Sequence, residues 1–363
     1  MDFFKVDCGK LPYCRDVLIK ERRMRESTLV TVTGASGFIA LHTICLLLQQ
    51  GYTVRGTLRD LSRMESLVKS LSHHCDVTNL SFVKADLNDD AGWAGAMVDA
   101  DYLLHMASPL PAEAPKDEND LIVPARDGAL RAIKAAVDAG VRRIVMTSSI
   151  AAVSGGHDKS EALNESHWSD TEKDIGAYQK SKTIAERASW EFINSLADDK
   201  KPEFSVINPG FVLGPVIDSD TSASHEIIRR ILARDVPGIP NIGFSLVDVR
   251  DVASAHVTAL THRAAPGKRY ICVAEAMSFR DIAACLKKHM TPKGYKVIQR
   301  PVPDWLVHFL ALFSPTFKLV VSRLGPATKF DTSRIRGDFG WNPMQMTRSI
   351  EETADSLIAH KIV

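Results

Sequence analysis

The stretch TLVTVTGASGFIALHTICLLLQQGYTVRGTLRD, residues 28–60, places a glycine-containing turn between two apolar runs. The β-branched run at 29–33 predicts a buried strand, and the apolar run at 39–48 predicts a helix. A strand before the turn and a helix after it form the context that a dinucleotide-binding motif requires. The stretch therefore predicts an α/β fold with a nucleotide site near its start.

Three small residues, Gly34, Gly37 and Ala40, occupy the turn and the start of the helix at the spacing GxxGxxA. Such a turn needs a residue without a Cβ where the chain reverses and another where the backbone meets a pyrophosphate. It also needs a small residue where helix packs on strand. The helix N-terminus adds free N–H groups and a positive dipole end. We expect dinucleotide binding here, the alternative being a purely structural turn.

Length and composition are those of an ordinary globular protein. The chain has 363 residues, of which 45% are hydrophobic and 25% charged. This length allows one large two-lobed unit or two domains. The formal net charge of +1 gives no electrostatic case for nucleic acid or an anionic membrane, so we expect a small-molecule ligand.

The six cysteines are scattered, without a CxxC pair. This spacing predicts neither a zinc site nor a disulfide framework, and it suits a reducing cytoplasm. The sequence HHCD at 73–76 is expected to form a surface loop, so no metal site is predicted.

Two segments bear on targeting. Residues 1–27 lack the apolar core of a signal peptide and contain too many acidic residues for a mitochondrial presequence, so we expect a loosely attached extension. The apolar stretch at 305–321 is interrupted by Pro315 and Lys318 and is too short for a bilayer of roughly 30 Å. We expect a buried or pocket-lining helix there, with a monotopic membrane contact as the alternative.

Strand-like and helix-like patterns alternate through 28–210. This alternation predicts a doubly wound parallel sheet of the Rossmann type. Residues 244–263 are expected to add a strand and a helix to the same sheet. Residues 211–243 and 264–363 are expected to form a smaller, discontinuous substrate-binding lobe.

The sequence YQKSK places Tyr178 and Lys182 at positions i and i+4 of a predicted helix, on one face. A phenol ordinarily titrates near ~10, and an ammonium group about one turn away favours its ionised form. Such a pair can give a proton to a carbonyl oxygen. Ser148 and Ser149 end the preceding strand, where a hydroxyl can bind the same oxygen, and because strand residues alternate only one of them can face the site.

In this order, these features resemble the extended short-chain dehydrogenase/reductase superfamily. The likeness is greatest to the dihydroflavonol 4-reductase-like branch, which includes cinnamoyl-CoA reductases and many microbial aldehyde and ketone reductases. It extends over 28–363. The motifs are VTGASGFIA, GYTVRGTLRD, KADLND, HMASPL, VMTSSIAAV, ESHWSD, YQKSK, INPGFVLGP, VDVRDVASAH and FDTSRIRGDFGW.

The resemblance implies a catalytic set and a cofactor-lining set. It makes Ser149 the catalytic serine and Tyr178 the acid, while Lys182 holds the nicotinamide ribose. The remaining implied contacts follow the cofactor from pyrophosphate through adenine to nicotinamide. Beside Gly34 of the turn, they are Ser36, Gly37, Phe38 and Ile39 at the pyrophosphate, Asp86 and Leu87 at the adenine, Met106, Ala107, Ser108 and Thr147 beside the nicotinamide ribose, and Pro209 and Phe211 at the nicotinamide ring.

The end of the second strand indicates which dinucleotide is bound. An acid near this position usually holds a 2′-hydroxyl, whereas a 2′-phosphate calls for a guanidinium. The strand contains no acid, and Arg59 lies where the related reductases place their phosphate-binding arginine, with Arg63 able to assist. We therefore expect NADP, with Asp60 keeping an NAD alternative open.

The predicted function is an NADPH-dependent reductase for a small or medium aldehyde or ketone, acting as a monomer or homodimer. A flavonoid substrate is not favoured, because Ser154 stands where the plant flavonoid enzymes have an asparagine. One alternative is an epimerase or dehydratase of the same superfamily that acts on a nucleotide sugar and keeps NAD bound. The other is a non-catalytic protein that senses NADPH.

Overall fold

The computed structural model describes residues 27–109, 115–158, 160–219, 222–236, 238–313, 317, 320–321 and 323–363. The predicted extension at 1–27 lies outside the described residues except for its last position, and so does part of the apolar stretch at 305–321. In the described part of that stretch the side chains of Trp305, Phe309, Leu312 and Phe313 are exposed, so the expected buried helix is not found there. Across the described ranges, no helix is both long and apolar enough to cross a bilayer.

The main sheet has seven parallel strands, which confirms the predicted doubly wound α/β fold. Its spatial order is β3-β2-β1-β4-β5-β6-β9. Each strand predicted from the sequence before residue 210 is present. The strands of this sheet are β1 (Leu29–Val32), β2 (Thr53–Leu58), β3 (Leu80–Lys84), β4 (Tyr102–His105), β5 (Arg143–Thr147), β6 (Glu203–Pro209) and β9 (Arg269–Cys272).

Helices cover both faces of this sheet, and further helices belong to a smaller lobe. In the described residues they are α1 (Phe38–Gln49), α2 (Met64–Ser72), α3 (Trp93–Met97), α4 (Asn119–Asp138), α5 (Ala151–Ser154), α6 (Ala177–Ser195), α7 (Ala223–Ala233), α8 (Val249–Thr261), α9 (Phe279–Met290), α10 (Asp304–Ala311), α11 (Ser333–Phe339) and α12 (Met346–Ala359).

Alternate strand residues supply two separate cores, one on each face of the sheet. Val145 of β5 packs in the core that includes α1 and α8, while its neighbours Ile144 and Met146 pack in the core that includes α4 and α6. Strand side chains alternate between faces, so a strand covered on both sides is apolar throughout. Each fully buried aliphatic side chain contributes roughly 1.5–3 kcal/mol.

The smaller lobe contains a second, three-stranded sheet in the order β10-β8-β7. Its strands are β7 (Phe211–Leu213), β8 (Gly243–Asp248) and β10 (Glu275–Ser278). The prediction that the strand within 244–263 joins the main sheet is wrong, because β8 pairs with β7 and β10 instead. The following helix, α8, does share the core of the main sheet with α1. The edge strand β9 was not predicted, and it joins the main sheet although 264–363 was expected to belong to the smaller lobe.

The start of α6 also differs from the sequence prediction. The helix-like pattern of residue types around Tyr178 extends over 172–196 in the sequence, but the helix begins at Ala177. Gly176 has φ 83°, a left-handed conformation that interrupts a right-handed helix. Helix α6 therefore presents Tyr178 in its first turn.

Candidate active site

The predicted site residues converge at the carboxyl edge of the main sheet, where the strand order reverses between β1 and β4. In open α/β sheets this reversal is where ligands bind. Gly34 follows β1, Met106 follows β4, Ser148 follows β5 and Phe211 follows β6. The structure thus brings together residues from four separate parts of the sequence.

The turn after β1 has the backbone geometry that its glycines predict. Gly34 has φ 65°, and a Cβ there would lie only 2.9 Å from the Cα of Ala107. Gly37 caps α1 without a side chain, and the first turn of that helix contains no acid. The N–H groups and positive dipole at this helix end are therefore available to an anion.

Thr33 joins the ends of β1 and β4 through its hydroxyl group. Its Oγ1 accepts from the N–H groups of Met106 at 3.0 Å and Ala107 at 2.9 Å. Its own proton therefore goes to Nδ1 of His105, 3.0 Å away. Burial, together with the charge of Lys182, lowers the pKa of His105 to about 3, which keeps the ring neutral as an acceptor. Sequence reasoning missed both Thr33 and His105.

The two serines after β5 face different surroundings. Ser148 is buried, and its hydroxyl donates to Oε2 of Glu186 at 2.5 Å. Ser149 is half-buried, and its Oγ accepts from the N–H of Ala151 at 3.1 Å. The proton of Ser149 is therefore left to donate elsewhere. Of the two serines, Ser149 is the more exposed, and its role at the site stays a prediction.

Beneath these serines lies a buried ion pair that the sequence did not reveal. Nε of Arg269 on β9 is 2.5 Å from Oε1 of Glu186 on α6, and the two side chains are 7% and 0% exposed. Nδ2 of Asn208 donates to Glu186 at 2.9 Å and to the carbonyl of Ser149 at 3.2 Å. The guanidinium of Arg269 also lies 3.7 Å from the ring centroid of Trp168. These contacts fix the position of the two serines that follow β5.

Thr147, the last residue of β5, is anchored in a similar way. Its Oγ1 lies 2.7 Å from Nε2 of His256, and Nδ1 of that ring lies 2.8 Å from the carbonyl of Val252. Burial lowers the pKa of His256 to about 4, so the ring is neutral. It donates from Nδ1 and accepts the Thr147 proton at Nε2.

Tyr178 and Lys182 share one face of α6, and the Lys182 Nζ lies 5.9 Å from the centroid of the Tyr178 ring. Within the described chain, neither the Tyr178 hydroxyl nor the Lys182 ammonium has a hydrogen-bond or ion-pair partner. Tyr178 is 39% exposed. The neighbouring Lys180 instead forms an ion pair with Glu118 at 2.9 Å. The two predicted catalytic groups are thus free to contact a ligand.

A second group of predicted residues follows β2. Arg59 is exposed and has no hydrogen-bond or ion-pair partner in the parts of the chain described. The carboxylate of Asp60 accepts from the backbone N–H of Ser62 at 2.9 Å and from its hydroxyl at 2.7 Å, and these bonds lower the pKa of Asp60. Arg63 forms an ion pair at 3.2 Å with Asp218, beyond β7.

The remaining predicted residues lie at the same edge of the sheet. Asp86 and Leu87 follow β3, beside the end of β2, and Oδ1 of Asp86 accepts from the N–H of Asn88 at 2.9 Å. Pro209 ends β6. The centroid of the Phe211 ring lies 5.0 Å from that of the Phe244 ring. Within the described ranges, no group of three or more His, Cys, Asp or Glu side chains is arranged to hold a metal ion.

Comparison with known proteins identifies the family. The sequence model of the NAD dependent epimerase/dehydratase family matches residues 30–273. The NADPH-dependent methylglyoxal reductase GRE2 of Saccharomyces cerevisiae is 33% identical over 282 residues, which cover 71% of this chain and 82% of that protein. Cinnamoyl-CoA reductase 1 of Petunia hybrida is 35% identical over 266 residues, which cover 72% and 77%.

Solved structures agree with this assignment. Yeast methylglyoxal/isovaleraldehyde reductase Gre2 complexed with NADPH superposes with a TM-score of 0.76 at 26% identity, over 93% of this chain and 100% of that one. Gre2 of Candida albicans in complex with NADPH gives a TM-score of 0.75 at 27% identity, over 92% and 99%. The resemblance inferred from the motifs is confirmed, and the chain belongs to the NAD dependent epimerase/dehydratase family.

Proposed function

We propose that the protein is an NADPH-dependent reductase that converts the carbonyl group of a small or medium aldehyde or ketone to an alcohol. One observation carries this proposal. The hydroxyl of Tyr178 and the ammonium of Lys182 are unpartnered within the described chain, at the same sheet edge as Ser149, whose proton is free to donate. This is the donor set that a carbonyl oxygen needs when it becomes an alkoxide.

The residues present fit a dinucleotide with a 2′-phosphate. The first turn of α1, capped by Gly37 and free of acids, suits the pyrophosphate. The exposed guanidinium of Arg59 suits the 2′-phosphate. Asp60 is occupied in capping the short turn at Leu61–Arg63, which leaves it poorly placed to accept from a ribose hydroxyl. The two Gre2 structures named above contain NADPH.

Each protein group then has a role in the reduction. When bound, NADPH would supply a hydride to the carbonyl carbon. Ser149 donates a hydrogen bond to the carbonyl oxygen, with its own Oγ held by the N–H of Ala151. Tyr178 gives its proton to that oxygen, and the ammonium of Lys182 stabilises the negative charge left on the phenol oxygen. Lys182 also holds the nicotinamide ribose, so its loss affects binding as well as turnover.

The proposed substrate class is small or medium and largely apolar. Ser154 stands at the position of the flavonoid-binding asparagine, and its hydroxyl donates to the carbonyl of Ile150 at 3.1 Å. The half-buried ring of Phe211, directly after β6, packs against the buried ring of Phe244 and supplies an apolar side chain at this end of the strand. An aldehyde or ketone of modest size suits these surroundings better than a polyhydroxylated flavonoid.

A cofactor-oxidation assay tests the proposal. The purified full chain is mixed with NADPH and a panel of aldehydes, ketones and diketones, with NADH in parallel, and loss of the reduced-cofactor absorbance is followed. We expect turnover with at least one carbonyl compound and a preference for NADPH. Tight NADPH binding without turnover on the whole panel would favour a sensing protein. Release of NAD from the freshly purified protein by acid would favour an epimerase or dehydratase.

A further inference from the structure

Two cysteines that are distant in sequence meet in the folded protein. Cys45 lies on α1 and Cys75 in the turn after α2, 30 positions later, and their sulfur atoms are 2.7 Å apart. A disulfide bond is about 2.05 Å long, so the sulfurs are within about 0.7 Å of bonding distance. Both are free thiols in the structure, so the spacing of the cysteines did not reveal that these two meet.

The two thiols differ in accessibility and acidity. Cys45 is 6% exposed, whereas Cys75 is half-buried and can be reached from solvent. The hydrogen bond from Cys45 lowers the pKa of the Cys75 thiol. The same bond, together with burial, raises the pKa of Cys45. Cys75 is thus the better nucleophile and reacts first, and Cys45 is the buried thiol that reacts second.

The backbone around the pair is fixed by its own hydrogen bonds. The N–H of Cys75 donates to the carbonyl of Leu71 at 3.0 Å. The side chain of Gln49, at the end of α1, donates to the carbonyl of His74 at 3.2 Å. The approach of the two sulfurs therefore follows from the packing of α1 against the end of α2.

We propose that Cys45 and Cys75 form a reversible intramolecular disulfide when the protein meets a low-molecular-weight disulfide such as oxidised glutathione. The Cys75 thiolate attacks one sulfur of oxidised glutathione, breaking its S–S bond and releasing one glutathione. The Cys45 sulfur then attacks the Cys75 sulfur of the mixed disulfide and releases the second glutathione. Two cysteine thiols are oxidised, one oxidised glutathione is reduced, and the two thiol protons leave on the two glutathione molecules.

The cross-link closes a loop that contains β2 together with Arg59 and Arg63, and it ties that loop to α1. It therefore restrains the part of the chain proposed to hold the adenosine phosphate. Because the sulfurs already lie close together, we expect turnover to be retained. The cross-link reduces the freedom of the unfolded chain, so the melting temperature rises by a few degrees.

Peptide mapping of the native full chain tests the site. Reduced protein, freed of reductant, is incubated with oxidised glutathione, its remaining thiols are blocked with iodoacetamide, and it is digested without reduction. We expect one linked peptide pair that joins Cys45 to Cys75, with the loss of two hydrogen atoms and reversal by dithiothreitol. A stable glutathione adduct on Cys75 with Cys45 alkylated would overturn the proposal, as would alkylation of both or a bond from either to another cysteine.

Matched variants separate the cross-link from general oxidation. In Cys75→Ser the rise in melting temperature on oxidation should disappear, and in Cys285→Ser, which alters a half-buried cysteine of the smaller lobe, it should persist. Cys45→Ser should accumulate the glutathione adduct on Cys75, because the resolving thiol is absent. Should either variant misfold, peptide mapping of the unmodified chain still decides the outcome. An equal rise in Cys75→Ser would contradict the proposed effect on stability.

Discussion

The two ends of the proposed cofactor site are built in opposite ways. At the catalytic end, the polar groups beneath the serines are buried and bonded to one another, as in the Glu186–Arg269 pair. At the phosphate end, Arg59 is exposed and has no ion-pair partner in the described chain, and Asp60 is occupied by Ser62. At the catalytic end, the side chains are held in position before a ligand binds. At the phosphate end, the positive charge of Arg59 remains available for a phosphate.

This difference follows from what each end must do. Proton donation requires the donor to lie within hydrogen-bond distance of the reacting oxygen, and buried partners hold such positions rigidly. Binding a phosphate requires an unpaired cation whose own desolvation costs little, and exposure provides that. The buried end should therefore be sensitive to small changes of structure, and the exposed end to ionic strength.

The largest effect is expected for Tyr178→Phe, which removes the proposed proton donor and keeps the ring. A positioned acid contributes about 10²–10⁴-fold, so kcat should fall by that factor on the best substrate. NADPH affinity should stay within a few-fold of the wild type, measured by fluorescence titration. Near-normal turnover of the variant would show that another group supplies the proton.

Glu186→Gln tests the buried support beneath the site. The change leaves the Arg269 charge without its carboxylate, and breaking a buried pair in this way costs about 3–5 kcal/mol of unfolding free energy. Urea denaturation measures this loss. The matched control is Glu118→Gln. It breaks the more exposed ion pair between Glu118 and Lys180, which lies on the same helix as Glu186, and should lower the unfolding free energy far less. Similar losses for the two variants would show that burial of the Glu186–Arg269 pair does not increase its contribution to stability.

Lys182→Met should weaken NADPH binding and turnover together, because one ammonium is proposed to hold the ribose and to stabilise the phenol oxygen. A hydrogen bond from a charged group is worth about 1.5–3 kcal/mol, or roughly ten- to a hundredfold in kcat/KM. The pH–rate profile should also shift. Lys180→Met, two residues away and paired with Glu118, is the control and should leave both quantities near their wild-type values. An unchanged profile and affinity in Lys182→Met would leave Lys182 without a role.

Arg59→Ala is expected to have an effect of similar size at low ionic strength and the smallest effect at higher salt, because its charge is exposed and screened. The variant should lose roughly ten- to a hundredfold in affinity for NADPH relative to NADH at low ionic strength, since only NADPH carries the 2′-phosphate. Titration of both cofactors at one fixed salt concentration gives the two Kd values. Arg63 can mask part of the loss, so the double variant is measured as well.

Arg142→Ala is the matched control for this experiment. Arg142 is an exposed arginine just before β5, at the opposite edge of the sheet, and it forms an ion pair with Asp101. It should leave both Kd values unchanged. Parallel losses of NADH and NADPH affinity in Arg59→Ala would mean that Arg59 acts through folding. A wild-type preference for NADH would assign the ribose to Asp60.

The sequence alone determined the parts of this protein that depend on local pattern. The parallel strands before residue 210 follow from apolar runs, and the turn after β1 follows from Gly34, whose φ of 65° suits a residue without a Cβ. The spacing of Tyr178 and Lys182 placed them on one helix face, as observed. These features are predictable because a few neighbouring residues fix them through backbone geometry and side-chain period.

Only the tertiary structure decided which distant residues meet. It paired β8 with β7 and β10, buried Glu186 against Arg269, and brought Cys45 to Cys75. It also directed Ser148 to Glu186, so that of these two serines only Ser149 keeps its proton free of an acceptor among the described residues. Such contacts join residues from 29 to 83 positions apart in the chain. They depend on how whole helices and strands pack, and no local pattern of residue types records that.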